Sequence, residues 1–231
     1  MPSMPGLLAT LTEKSFGHRA NVAAIEQVSP NFRRMELRVE PLKSGWKAGQ
    51  DVQFRIDDNT FRHYSVMSVD DSGTTISVLF HLGVDGPGSR WAAARATGDE
   101  MIVLGMNTPE PKRPAAEHLY LGDGSAVGTV HGLAAKQNVG GTASGAVEVP
   151  AEDLEALTPL LPGIDVLPAA PIPGDAIATW LEASTPCCAA ASLFGHAQSI
   201  QRQRRILLDH NTLPRKAIAT KPYWATGKVG L

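Results

Sequence analysis

Asn107-Thr108-Pro109-Glu110-Pro111-Lys112-Arg113-Pro114 divides the chain in two. Three prolines in six residues remove backbone donors and fix φ, so neither a helix nor a central strand can run through. The texture differs on its two sides. Upstream, short alternating or β-branched segments follow one another at 21–28, 34–39, 51–56, 63–69 and 75–81. Turn clusters such as Ser29-Pro30-Asn31, Lys43-Ser44-Gly45 and Asp70-Asp71-Ser72-Gly73 separate them. A helical stretch at 88–96 and a last strand at 101–104 complete that half. Closely spaced strands with such turns predict an antiparallel barrel or sandwich. Downstream, strands at 118–121, 144–149, 165–167 and 188–194 alternate with helices at 125–136, 174–181 and 197–209, and a short helix opens at Pro150. That alternation predicts βαβ crossovers and a parallel sheet. The expected architecture is an N-terminal arm (1–19), a β-barrel (20–106), a linker (107–117) and a small α/β domain with a C-terminal tail (118–231).

Composition narrows the function classes. The chain has 231 residues, 43% hydrophobic and 19% charged, enough for one large or two small globular domains. Its 21 Lys+Arg stand against 23 Asp+Glu, which argues against a protein whose main business is gripping a phosphate backbone. Cys187 and Cys188 are neighbours and close no useful loop, which suits a reducing compartment. Neither they nor the scattered histidines show metal-ligand spacing, so no metal site is expected. The first residues lack a basic n-region and an apolar core, and no run approaches the ~18 apolar residues of a membrane span. The expectation is a cytoplasmic protein.

Two segments carry chemistry. In Arg62-His63-Tyr64-Ser65, a strand puts Arg62 and Tyr64 on one face. The arginine offers a forked donor for phosphate oxygens and the tyrosine a flat ring with a polar tip. An ordinary Arg–Tyr contact on a surface strand reads the same way. In His81-Leu82-Gly83-Val84-Asp85-Gly86-Pro87-Gly88-Ser89-Arg90-Trp91-Ala92, a strand ends in a glycine-rich turn that opens a helix. Unpaired backbone N–H groups make such a place a phosphate cradle, with the Ser89 hydroxyl as a further donor. A tight turn with Trp91 as core is the plainer alternative.

Together these segments resemble the ferredoxin-reductase superfamily. The stretch from His81 through Asp85-Gly86-Pro87-Gly88-Ser89-Arg90-Trp91-Ala92, closed by Gly98-Asp99, is similar to its siderophore-interacting branch. So is Tyr223-Trp224-Ala225-Thr226-Gly227 near the C-terminus. Leu121-Gly122-Asp123-Gly124-Ser125-Ala126 and Phe194-Gly195-His196-Ala197-Gln198 stand where that family has its Gly-Asp-Glu-Thr and Gly-Glu turns.

The resemblance implies an FAD-binding reductase that takes electrons from NADH or NADPH and passes them to a ferric siderophore. It implies that Arg62 contacts the flavin pyrophosphate, that Tyr64 packs along the isoalloxazine, and that Ser65 lies near flavin N5, with His63 beside them. His81 would lie by the cofactor, Gly86, Pro87, Gly88 and Ser89 would hold the phosphates, and Trp91 would buttress that helix. Gly122, Asp123, Gly124 and Ser125 would meet the nucleotide. The chain departs from the family at Gln53, Asn107 and Ala225, where basic or Gly-Pro-Arg-type residues are usual, and at Gly124 and His196, where an acid is usual. Arg215, Lys216 and Lys221, near Trp224, are the candidate replacements at the substrate. Two other readings stay open: a protein that holds flavin or an iron chelate without pyridine-nucleotide turnover, and a flavin carrier reduced by a ferredoxin-like donor.

Overall fold

Strand β1 (Gly17–Ser29) reverses into β2 (Phe32–Val39) through Pro30-Asn31, with Ser29 paired to Phe32. Proline presets φ for the first turn position and asparagine suits the second, so the register is fixed locally. β3 (Asp51–Arg55), β4 (Phe61–Val69), β5 (Thr75–His81) and β6 (Glu100–Gly105) complete a closed antiparallel barrel in the order β1-β2-β5-β4-β3-β6. Closure leaves no free strand edge. Met35, Leu37, Phe54, Ile76, Val78 and Phe80 fill its interior.

Helix α1 (Pro87–Ala93) lies against that core between β5 and β6. Trp91 packs on Phe54 at 5.3 Å between ring centroids, and Ala92 is fully buried. Arg33 on β2 secures the other end of the helix. Its guanidinium donates to the carbonyls of Ala92 (3.0 Å), Ala93 (2.6 Å) and Arg95 (3.0 Å). These are carbonyls a helix leaves without partners at its C-terminus.

This computed structural model describes Glu13 and residues 17–105, 116–184, 186–210 and 213–228. The chain divides into two compact units, residues 1–109 and 110–231. The proline-rich stretch 107–114, with Asn107, lies outside the described residues. Residues 17–19, expected in an arm, belong to the barrel, because Gly17 to Arg19 pair with Leu104 to Ile102 of β6.

In the second unit β7 (Glu117–Asp123), β8 (Thr142–Val149), β9 (Ile164–Pro168), β10 (Ala190–His196) and β11 (Ile218–Trp224) form one parallel sheet in the order β11-β10-β7-β8-β9. Helix α2 (Val127–Gln137) follows β7, the short α3 (Leu154–Leu157) and α4 (Asp175–Ser184) flank β9, and α5 (Ala197–Asp209) joins β10 to β11. Ile177, Leu181, Ile200 and Leu207 of α4 and α5 cluster with Leu119 and Leu193 of the sheet. Gly145 lets β8 approach β7: at φ +143° a Cβ there would stand 1.8 Å from the Tyr120 carbonyl oxygen.

One strand is not foreshadowed by the sequence: β11 lies within the expected C-terminal tail. It is an edge strand with only Ile218 buried, and it carries Lys221 and Pro222. An edge tolerates proline and exposed charge, so the strand has almost no apolar signature.

His118 of β7 sets a pH limit on this unit. It is 1% exposed, stacked on Tyr120 at 4.4 Å and bonded through Nε2 to the Ser192 hydroxyl at 2.9 Å. Burial pushes its imidazole down from 6.5 to about 4. The folded state therefore prefers the neutral ring. Its contribution is complete above about pH 6.5 and is lost as pH falls toward 4, up to about 3 kcal/mol. Urea midpoints should fall between pH 7 and 4, and His118→Gln should flatten that slope; an equal slope in the variant would assign the loss elsewhere.

Candidate functional site

Strand pairing puts Arg62 opposite Phe54 and Tyr64 opposite Val52, and paired residues share a face. Arg62 and Tyr64 thus project together on the side of the barrel core. Tyr64 packs on Phe80 at 4.6 Å and Phe54 at 5.7 Å, and it is half-buried. Burial pushes its phenol up to about 12, against the opposing pull of the Arg62 charge. The start of α1 comes to the same place. A Cβ at Gly88 would stand 2.5 Å from the Tyr64 hydroxyl and 3.4 Å from Cγ of Arg62. With a side chain at this position, the helix start and the Tyr64 hydroxyl could not both keep their places. The two segments singled out in the sequence therefore meet in three dimensions, with Trp91 holding α1 in place.

Three expected members of that site stand elsewhere. His63 projects to the opposite face of β4, where the Gln53 amide meets its Nε2 at 2.6 Å. Ser65 shares that opposite face in register with Asp51. His81, on the opposite side of β5 from Phe80, stacks on Phe32 at 4.7 Å. Strand alternation separates all three side chains from Arg62 and Tyr64. Ser89 is in place, but its hydroxyl folds back on the turn. It receives the Gly86 N–H at 3.0 Å and donates toward the carbonyls of Val84 and Gly86. Gly86 and Pro87 form the turn and the first helical position.

In the second unit the strand order reverses between β7 and β10, and there an open parallel sheet offers its ligand crevice. Gly122–Ser125 and His196 stand at this point. The Asp123 carboxylate ties it together. Oδ1 accepts the Ser125 N–H at 2.9 Å and its hydroxyl at 2.5 Å, while Oδ2 accepts the His196 N–H at 2.7 Å and the Trp224 indole N–H at 2.8 Å. The His196 ring stacks on Trp224 at 4.3 Å and bonds the hydroxyls of Ser199 at 2.7 Å and Thr226 at 2.9 Å. Burial lowers its pKa, partly offset by the nearby Asp123 charge. Sequence reasoning placed Asp123 and Trp224 in separate sites and gave His196 no role. Their meeting depends on β11 being a strand, which the sequence did not reveal.

The candidate substrate cations are not gathered beside Trp224. Arg215 and Lys216 precede β11, at the amino edge of the sheet, whereas Trp224 ends the strand at the carboxyl edge. Seven strand residues separate these edges by roughly 20 Å. Lys221 stands midway, its ammonium 5.7 Å over the Tyr223 ring. The expected single patch gives way to this extended geometry. Among the described residues no cluster of His, Cys, Asp and Glu could hold a metal ion, and no helix is long and apolar enough to cross a membrane.

Asp123→Ala should cost about 2–4 kcal/mol, since it strands several N–H donors at once. Tryptophan emission should shift red as the Trp224 indole loses its partner. Asp123→Asn should retain part of both; unchanged emission in Asp123→Ala would show that the carboxylate does not hold the indole.

No family model matches the chain. Over 135 residues it is 27% identical to the mycobactin import ATP-binding/permease protein IrtA of Mycolicibacterium smegmatis. That match covers 50% of this chain, which spans only 15% of that relative's length. The siderophore-interacting protein of Acinetobacter baumannii superposes with a TM-score of 0.76 at 15% identity, covering 91% of each chain. Phthalate dioxygenase reductase, a modular structure for electron transfer from pyridine nucleotides to [2Fe-2S], superposes with a TM-score of 0.75 at 16% identity, covering 94% of this chain and 71% of its own. The closed antiparallel barrel followed by a five-stranded parallel sheet is thus the fold shared by siderophore-interacting proteins and ferredoxin-reductase-type electron-transfer proteins.

Proposed function

We propose that the chain is an FAD-dependent oxidoreductase of the siderophore-interacting family, moving electrons from NADH or NADPH to a ferric siderophore in the cytoplasm. The convergence of Arg62, Tyr64 and the Gly88 backbone on one barrel face carries this reading. Two properties of that face support a flavin dinucleotide. Gly88 carries no side chain, so the start of α1 stands directly against Tyr64 and Arg62, where its bare backbone would meet a ligand that they hold. Arg62 supplies a forked cationic donor suited to a pyrophosphate, beside a half-buried ring able to cover a planar heterocycle.

When bound, the flavin supplies the exchange between a two-electron donor and one-electron acceptors. The chain's own residues bind and orient. Arg62 would hold the pyrophosphate, Tyr64 would lie along the ring system, and Trp91 with Arg33 would keep α1 against them. The Gly122–Ser125 turn would receive the nucleotide at the carboxyl edge of the sheet. Each NAD(P)H oxidised to NAD(P)⁺ releases two electrons and one proton, enough to reduce two ferric ions. Fe(II) then leaves, because hard oxygen donors hold it far less tightly than Fe(III). The likeness to a mycobactin importer and to a siderophore-interacting protein supports the acceptor. The likeness to a reductase fed by pyridine nucleotides supports the donor.

One observation favours a second reading. Asp123, His196 and Trp224 already bond one another where the nucleotide would approach. A flavin carrier reduced by a ferredoxin-like partner needs no such approach. Purified protein should be yellow and should bleach anaerobically with NADH or NADPH. Bleaching only with a reduced ferredoxin would replace the first reading by the second, and a colourless protein that does not take up FAD would end both.

Arg62→Ala should weaken FAD binding on the order of tenfold to a hundredfold, the loss of one charge-assisted contact. Tyr64→Ala should loosen the flavin and shift its spectrum, whereas Tyr64→Phe should do little because stacking needs only the ring. Flavin titration by fluorescence quenching reads both. Wild-type affinity in Arg62→Ala would misplace the pyrophosphate, and equal damage from the two Tyr64 variants would point to the hydroxyl.

A further inference from the structure

We infer that the pyridine nucleotide of the α/β unit is NADH rather than NADPH, and that Glu148 selects it by accepting the 2′-hydroxyl of the adenosine ribose. The inference rests on the pyridine-nucleotide reading above and goes beyond it by choosing the donor.

Three independent observations point to this residue. The first is its place. β7 ends in the glycine-rich turn, β8 is the next strand in chain and in space, and Glu148 stands near the carboxyl end of β8 in register with Asp123. In dinucleotide-binding α/β folds an acid in this position takes the ribose 2′-hydroxyl, and an arginine takes the 2′-phosphate instead.

The second is an unfilled bond. Glu148 is 4% exposed, and its Oε1 accepts the Gly174 N–H at 2.5 Å. Oε2 is buried and makes no close hydrogen bond among the described residues, with the Ile177 N–H the one further backbone donor that bears on the carboxylate. A buried carboxylate oxygen without a donor is costly, and a ribose hydroxyl is a donor of the right kind. A phosphate dianion offers only acceptor oxygens and negative charge.

The third is the charge of the surroundings. Neither lysine nor arginine occurs between Lys136 and Arg202, a span that contains β8, α3, β9, α4 and β10 with their connections. Asp123 and Asp175 are the charges that bear on Glu148. Arg202, the first cation after that span, is already bridged to Asp175. From these elements a 2′-phosphate would meet carboxylates and no arginine, whereas its recognition ordinarily calls for one. The segment over Glu148, residues 169–174, includes Ile172 at 63% exposure. Its links to the rest of the edge include the Gly174–Glu148 bond and the Ser199 hydroxyl on the Pro173 carbonyl at 2.8 Å. On this reading ribose would enter by displacing this segment, with the sheet unmoved.

The test uses the full-length, flavin-loaded protein with ADP-ribose and 2′-phospho-ADP-ribose as probes, read by quenching of tryptophan emission. ADP-ribose should bind at least about tenfold more tightly, a difference of about 1.4 kcal/mol. NADH should bleach the flavin at correspondingly lower concentration than NADPH. Glu148→Gln should narrow the ratio between the probes, and Glu148→Asp should retain most of it. Because Glu148 is buried and its variants could unfold, the exposed Ile172→Arg offers a second route: it should strengthen binding of 2′-phospho-ADP-ribose more than that of ADP-ribose, narrowing the ratio between the probes. Equal binding of the two probes to the wild type, or a preference for the phosphorylated one, overturns the inference while leaving the pyridine-nucleotide reading intact. An unchanged ratio in a folded Glu148→Gln removes Glu148 as the selecting residue. Binding of neither probe overturns the pyridine-nucleotide reading and this inference with it.

Discussion

The Asp123 carboxylate is the constraint on which the second unit's carboxyl edge depends. A parallel sheet whose strand order reverses leaves two adjacent strands diverging into loops that run in opposite directions. Backbone N–H groups just past both strand ends then lack partners from the sheet. Asp123 answers on both sides, taking the amide of Ser125 after β7 and that of His196 at the end of β10. It then reaches the next strand through the Trp224 indole. Gly195 is the complement of this arrangement: its φ is +99°, and a Cβ there would stand 2.3 Å from Asp123 Oδ2. The carboxylate and the bare glycine are parts of one solution.

The barrel meets the same difficulty with the opposite charge. α1 is only seven residues long, and its C-terminal carbonyls end close to the barrel wall. The Arg33 guanidinium takes three of them from a neighbouring strand, and Arg95 adds a cation over the Trp91 ring at 5.2 Å. The far end of the helix is thereby fixed, and Gly88 is kept against Tyr64 at the near end. So short a helix has little macrodipole of its own. Its value to a ligand lies in where its backbone stands, and Arg33 and Trp91 determine that.

What could be read from the sequence follows from how local each signal is. All six barrel strands and the α/β alternation were legible, because turn residues and β-branched runs act over a few positions. The pairing of Arg62 with Tyr64 was legible for the same reason, since strand alternation dictates it. By the same alternation His63 and Ser65 could have been assigned to the other face, and the family pattern obscured that. The meeting of Gly88 with Tyr64 could be guessed only through resemblance, because the closing of a barrel is not a local property. Arg33 was invisible: nothing in Phe32-Arg33-Arg34 says which arginine turns to a helix end and which, like Arg34 with Glu26, forms a surface pair. The Asp123–His196–Trp224 cluster was hidden by the missing strand β11, whose proline and lysine suit an edge and mimic a tail.

That last strand also governs how the unit behaves if the chain is cut. β10 carries the apolar run Ala191-Ser192-Leu193-Phe194 and is paired on one side by β7 and on the other by β11 alone. Ending the chain before Ile218 would leave that row of amides and carbonyls open on a flat, hydrophobic strand. Such an edge is a template for pairing with another molecule. Lys221 and Pro222 therefore act as gatekeepers as well as strand residues: one charge and one missing donor on the outermost strand discourage the self-association that β10 would invite if bare.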